Sequence, residues 1–202
     1  MQLAKCKLVN TEIGCFPADW KIVSLAELAS FKTGPFGSRL HKSDYVYDGV
    51  PIINPMHIDD GILRPSLQMT VTQSEAASLK DYKLLEGDVI IGRRGEMGRC
   101  AVVLSNNEGW LCGTGSLIVR PNRGIDARFL QRVLASEEVI QRITDSSVGS
   151  TMLNLNHSTL AGLKVQCPSP EEQRAIAEAL SDVDALINAL DCLLYTSPSP
   201  RD

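Results

Sequence analysis

The sequence predicts an α+β fold: a globular head with a curved, mixed or antiparallel sheet, followed by a long C-terminal helix of coiled-coil type. Three observations carry this reading. Apolar β-type runs cluster in the middle of the chain, helix-capping signals gather toward both ends, and the last stretch holds a heptad-like apolar spacing behind a strong helix start. A doubly wound fold fits less well, because the strands do not alternate with long crossover helices and no Gly-x-Gly-x-x-Gly follows a strand.

Taken in order, residues 1–19 are turn-rich and read as an irregular lead-in to Trp20. Ser24-Leu25-Ala26-Glu27 is a capping box that opens a short helix to about Ser30. From Lys32 to Lys42 the chain holds two glycines, one proline and the charges of Lys32, Arg39 and Lys42 with no acid, which predicts an exposed basic loop. Val50–Ile53 is a short strand ending at Asn54-Pro55, and Thr72 with Glu75 caps a helix to about Asp81. Asp88–Ile91, Cys100–Leu104 and Ser116–Val119 are three buried-type strands. They are joined by the Gly92–Arg99 segment and by a stretch rich in Gly, Asn and Thr. Asp126 caps a helix to Ala135, and Ser136 caps a second to about Asp145. Gly149–Asn156 is a polar loop before a helical turn and a strand near Leu163–Gln166.

The arm begins at Ser169-Pro170-Glu171-Glu172, which supplies an N-cap serine, a proline at the first helical position and a glutamate closing a capping box. Ile176, Leu180, Val183, Ile187, Leu190 and Leu194 then follow at a mean spacing of about 3.5 residues, the coiled-coil period. At about 1.5 Å per residue the arm is roughly 35 Å long, near one turn of B-DNA. Periodicity alone fits a partner helix and a helix folded back on its own head equally well. Charge separates arm from head: residues 171–191 carry six acids against Arg174, while residues 1–170 hold 18 Lys+Arg and 17 Asp+Glu. The expected division is a head over 1–168, an arm over 169–194 and a truncated or non-native tail over 195–202, whose prolines cannot extend a helix.

Composition bounds the class. At 202 residues and 44% hydrophobic content the chain can bury one sizeable core. It has no run of about 18 apolar residues and no apolar segment after its first lysines, so it is expected to be cytoplasmic and without membrane contact. Six scattered cysteines, without a Cys-x-x-Cys, read as free thiols in a reduced compartment.

No catalytic constellation is expected, and no metal or cofactor site. The chain lacks a Walker A sequence, a Gly-x-Ser-x-Gly elbow, a His-Glu-x-x-His pair and a nuclease acid-acid-lysine set. Asn54-Pro55-Met56-His57 is similar to the Asn-Pro-Pro-aromatic tetrapeptide of amino-methyltransferases, but without the second proline and the ring. His57 with Asp59 and Asp60 fits a solvated loop better than a metal site. The glycine-flanked polar and basic loops suit binding instead, with Arg39, Lys42, Arg93, Arg94 and Arg99 supplying phosphate charges and guanine forks.

Seven motifs in order then resemble one half of the specificity subunit of type I restriction–modification enzymes, over roughly residues 16–191. They are Trp20…Leu25-x-Glu27, Gly34-Pro35-Phe36-Gly37-Ser38-x-Leu40, Gly49-Val50-Pro51-x-Ile53-Asn54-Pro55, Gly87-Asp88-Val89, Arg94-Gly95-x-x-Gly98-Arg99-Cys100, Gly149-Ser150-Thr151-Met152-x-x-Leu155-Asn156 and the Pro168–Leu180 opening of the arm. The resemblance implies a non-catalytic target-recognition domain that reads one half of a bipartite site in double-stranded DNA. It implies methyltransferase subunits that use S-adenosylmethionine to methylate adenine, and restriction subunits that use ATP and Mg. The DNA-binding candidates become Lys32, Phe36, Ser38, Arg39, Lys42, Arg93, Arg94, Arg99, Ser150, Thr151 and Asn154. Ile176, Leu180, Val183, Ile187 and Leu190 become the helix contacts of a homodimer, since one recognition domain stands where the family has two. The competing expectation is a DNA-independent interaction module that uses the heptad helix.

Overall fold

A computed structural model of the chain describes residues 7–35, 39–146 and 154–196, the last three as backbone only. The chain opens on a hairpin rather than an irregular lead-in: β1 (Leu8–Thr11) pairs antiparallel with β2 (Gly14–Pro17). None of its strand residues is buried, so the turn defines it. Thr11 Oγ1 donates to the Gly14 carbonyl at 2.7 Å, and Gly14 adopts φ +125°, which its missing Cβ permits.

β3 (Lys21–Ser24) runs into α1 (Leu25–Leu28), where Ser24 N and Oγ both donate to Glu27 Oε1, at 2.9 and 2.8 Å. The helix is a single turn because β4 (Ala29–Thr33) follows at once, taking Lys32 into a strand. Next come β5 (Tyr45–Val46), β6 (Val50–Ile53), the hairpin of β7 (Ile58–Asp59) and β8 (Ile62–Leu63), β9 (Thr70–Val71) and α2 (Gln73–Ser78). Thr72 Oγ1 caps α2 by accepting from Glu75 N. The middle of the chain supplies β10 (Val89–Gly92), β11 (Cys100–Val102), β12 (Leu111–Cys112) and β13 (Ser116–Pro121).

Two four-stranded sheets result. The first, in the order β11-β10-β13-β4, is antiparallel throughout. The second, β12-β6-β9-β5, is mixed, with β12 and β6 parallel. The first sheet is buried on both faces: Val89, Ile91, Leu117 and Val119 join the helix-side core, while Ile90, Ile118 and Ala101 pack with Ile53, Ile58 and Leu84. That double burial is why these strands read as unbroken apolar runs rather than alternating ones. A third cluster of Leu40, Ile52, Val71, Ala76 and Leu79 joins the second sheet to α2.

α3 (Ala127–Leu134) and α4 (Glu137–Asp145) cover the first sheet, capped by Asp126 and Ser136 as their spacing predicts. α5 (His157–Gly162), capped by Asn156, leads to β14 (Lys164–Cys167), which pairs with β3. α6 (Pro170–Thr196) has 27 residues, about 40 Å. It runs through Tyr195 and Thr196, two residues beyond the last apolar heptad position, and residues 197–202 lie outside the described set. Among the described residues no helix is long and apolar enough to cross a membrane.

The root of α6 is built into the head. Gln173 and Ala177 are buried, Gln173 Oε1 accepts from Asp126 N at 3.0 Å, and its Nε2 donates to the Pro168 carbonyl at 3.0 Å. Arg132 of α3 pairs with Asp184, about two turns beyond Ala177. Beyond Ala177 the apolar face of α6 is open to solvent.

Candidate nucleic-acid interface

Five segments far apart in sequence cross at the end of the first sheet where β10 stops and β13 starts. Arg93 N donates to the Gly115 carbonyl at 3.0 Å, and Leu155 N donates to the Arg93 carbonyl at 2.8 Å. Gly115 N donates to Asn54 Oδ1 at 3.1 Å, Gly113 N to the Ile53 carbonyl at 2.8 Å, and Gly34 N to the Ser116 carbonyl at 3.1 Å. Arg94 and Asn154 form an isolated antiparallel bridge. The crossing is too tight for side chains: a Cβ on Gly34 would stand 1.9 Å from the Gly113 carbonyl oxygen, and one on Gly113 would stand 2.4 Å from Asn54 Oδ1. These two glycines are therefore needed for close backbone approach.

The crossing sets where the predicted binding residues sit. Arg94 and Asn154 are exposed on its rim, joined by their bridge. Arg93, beside them, is buried, with 9% of its surface exposed. Burial, and after it the neighbouring Arg94, lowers its pKa. Arg39 and Lys42 are exposed on the lobe of the second sheet, flanking the buried anchor Leu40. Lys32 lies between the lobes, 3.9 Å from Asp81 and 5.4 Å above the Tyr82 ring. Arg99 turns away from this group. Its guanidinium is held by Glu96 at 2.6–2.7 Å and donates to the Ile58 carbonyl at 3.3 Å, on the wall of an open cleft of about 800 Å³ beneath α6. Phe36, Ser38, Ser150 and Thr151 lie outside the described residues.

His57 is a structural turn residue. Its Nδ1 accepts from Asn54 N at 3.1 Å, burial lowers its pKa, and Asp59 is engaged by Arg64 at 2.9 Å. Pairing a neutral imidazole with a backbone donor closes Asn54-Pro55-Met56-His57 into a tight turn.

Sequence reasoning missed two residues that hold the site. Asn54 reads as a strand end, yet its side chain ties β6 to the Gly115 loop. Asp88, 1% exposed, accepts from Leu85 N at 2.9 Å and takes a two-pronged pair from Arg120 at 2.7 and 2.8 Å, locking β10 to β13. A carboxylate opening an apolar run was the available signal; its partner, 32 residues away, was not.

On the arm, Ile176 packs against the head's own core, so it is a root residue. Leu180, Val183, Ile187 and Leu190 are 40–51% exposed, and Leu186 and Leu193 widen the stripe at 60 and 63%. Leu180, Val183, Ile187 and Leu190 thus form an exposed stripe beside the side of the helix that carries the buried Gln173 and Ala177.

The sequence model of the type I restriction modification DNA specificity domain matches residues 17–191. A putative type I restriction enzyme MjaX specificity subunit of Methanocaldococcus jannaschii is 27% identical over 189 residues, covering 90% of this chain and 43% of that protein. The type I restriction enzyme MjaIX specificity subunit of the same organism is 27% identical over 185 residues, covering 88% and 41%. The chain thus spans about two fifths of the length of these relatives. In fold it is similar to the HsdS subunit from Thermoanaerobacter tengcongensis, with a TM-score of 0.64 and 21% identity over 91% of this chain and 41% of that one. The type I restriction-modification S subunit from M. genitalium aligns with a TM-score of 0.59 and 20% identity, over 87% and 42%.

Proposed function

Because the chain belongs to the type I restriction modification DNA specificity domain family, we propose that it reads one half of a bipartite site in double-stranded DNA for an adenine methyltransferase. It is a specificity domain, not a catalytic one. The observation that carries the DNA reading is the loop crossing. Arg94, Arg39 and Lys42 stand exposed there and on the adjoining lobe with no carboxylate partner found among the described residues, beside backbone held close by glycines. Exposed cations over a rigid frame meet phosphates, and Arg94 with Asn154 can reach base edges. Lys32, Phe36, Ser38, Arg93, Arg99, Ser150 and Thr151 complete the proposed set.

The same reading places S-adenosylmethionine on docked methyltransferase subunits, and ATP and Mg on restriction subunits, in the cytoplasm. The arm makes the second connection. Its uncovered stripe pairs with that of a second copy, giving a homodimer whose two heads read two half-sites.

The test is the salt dependence of DNA binding by this chain with its methyltransferase partner. Each phosphate contact contributes about 0.9 to the slope of log affinity against log salt, so several contacts give a steep fall. Charge reversal, R94E or R39E, should weaken binding and flatten the slope. Binding insensitive to both salt and reversal would leave only the interaction-module reading, in which the arm recruits a helix and the head is a scaffold.

A further inference from the structure

The geometry points to Arg93 as a seat for one phosphoryl oxyanion supplied from outside the chain, and, resting on the DNA reading above, we assign that oxyanion to a backbone phosphate. Arg93 is nine-tenths buried, and its Nε is sealed from solvent without a hydrogen-bond partner. No hydrogen bond or ion pair to its guanidinium is found among the described residues. The buried carboxylate nearest in sequence, Asp88, is fully used by Arg120. The hairpin's one acid, Glu96, is engaged by Arg99. The remaining charged neighbour is Arg94, which opposes Arg93, and burial keeps the Cys112 thiol protonated so that it offers no counter-charge.

Arginine cannot shed its proton to escape this position. Its backbone N and carbonyl are both bound, to Gly115 and Leu155, which holds its Cα at the crossing. A largely buried cation without a counter-charge weakens the free chain, and an arriving anion removes the penalty.

The other orphaned groups at the crossing indicate the sign of the ligand. Among the described residues, two buried side-chain polar atoms without a partner lie on the crossing segments, Arg93 Nε and Ser116 Oγ. Both can donate. Unmet donors call for an acceptor-rich group, and the guanidinium fork matches a phosphate in shape and charge.

The test compares wild type, R93M, R93K and R94Q as full-length chains, in chloride and in inorganic phosphate at matched pH and ionic strength. In chloride R93M should melt higher than wild type, by about 2–4 °C, since it removes an uncompensated charge at nearly constant volume. Phosphate should raise the melting temperature of wild type and R94Q beyond its general salting effect on R93M, with R93K between. In DNA titrations with the methyltransferase partner, R93M should bind more weakly and flatten the salt slope by about 0.9. An R93M chain that melts lower than wild type in chloride, or that fails to fold, makes Arg93 a structural residue and overturns the seat. So does a phosphate response equal in R93M and wild type. A normal phosphate response with an unchanged DNA slope overturns the DNA source, leaving free phosphate as the ligand. If wild type binds no DNA at all, the functional reading fails by itself, and the phosphate arm still decides the seat.

Discussion

Asp88 and Arg120 show how a single pair fixes the frame on which the loops stand. Removing Arg120 leaves a carboxylate with 2% side-chain exposure without its cation, so R120M should cost roughly 2–3 kcal/mol by denaturant unfolding, less than a fully buried pair because Arg120 is half in solvent. An unchanged midpoint would show that Leu85 N alone holds Asp88. At Gly34 the same logic is steric. G34A drives a Cβ into the Gly113 carbonyl and should destabilise by about 1–3 kcal/mol or reshape the crossing, visible as weakened DNA binding without loss of the arm. Glu172 gives a pH signature. Hydrogen bonds from Ser169 hold its pKa below the ordinary 4.5. A depressed carboxylate contributes stability above its unfolded pKa and loses it as pH falls through the folded one. The difference in melting temperature between wild type and S169A should therefore be full at neutral pH and shrink below about pH 4.5. A difference constant down to pH 3 would contradict it. Residues of this kind were partly legible: the Ser169–Glu172 box is local and can be read three residues apart. Asn54 to Gly115 and Asp88 to Arg120 are tertiary meetings that no local pattern records.

At the scale of elements, capped helices were the most legible part, because a cap is decided by side chains within one turn of each other. Ser24, Thr72, Asp126, Ser136 and Ser169 all begin helices, and the apolar runs at Val89–Ile91 and Ser116–Val119 are adjacent strands buried on both faces. The β1–β2 hairpin was illegible, its strands being short and without buried residues and its turn resting on one hydroxyl contact and one positive-φ glycine. In α6 the heptad pattern hid a division of labour. Ile176 belongs to the head's core, whereas Val183, Ile187 and Leu190 are exposed. Aspartate at those three positions should lower the solution mass to that of a monomer while circular dichroism and melting of the head stay near wild type. Aspartate at Ile176 should instead destabilise the head. Retention of the wild-type mass by the triple variant would remove the arm from the proposed dimer contact.

At the scale of the molecule, one head and one arm span about two fifths of the length of the curated relatives, and Leu180, Val183, Ile187 and Leu190 of the arm are exposed. In the proposed homodimer, two copies joined through their arms present two heads related by a two-fold axis, so the proposed target carries the same symmetry. Neither the bases read nor the spacing between half-sites was legible in the sequence, because both depend on where loop side chains fall in the grooves and on the angle at which two arms cross. The most direct measurement is a methylation map of DNA from cells co-expressing this chain with its methyltransferase subunit. The account predicts modified adenines in a palindromic, bipartite motif, lost in the triple aspartate variant of the arm. Soluble, co-purifying chains that leave the DNA unmodified, or a motif without two-fold symmetry, would contradict it.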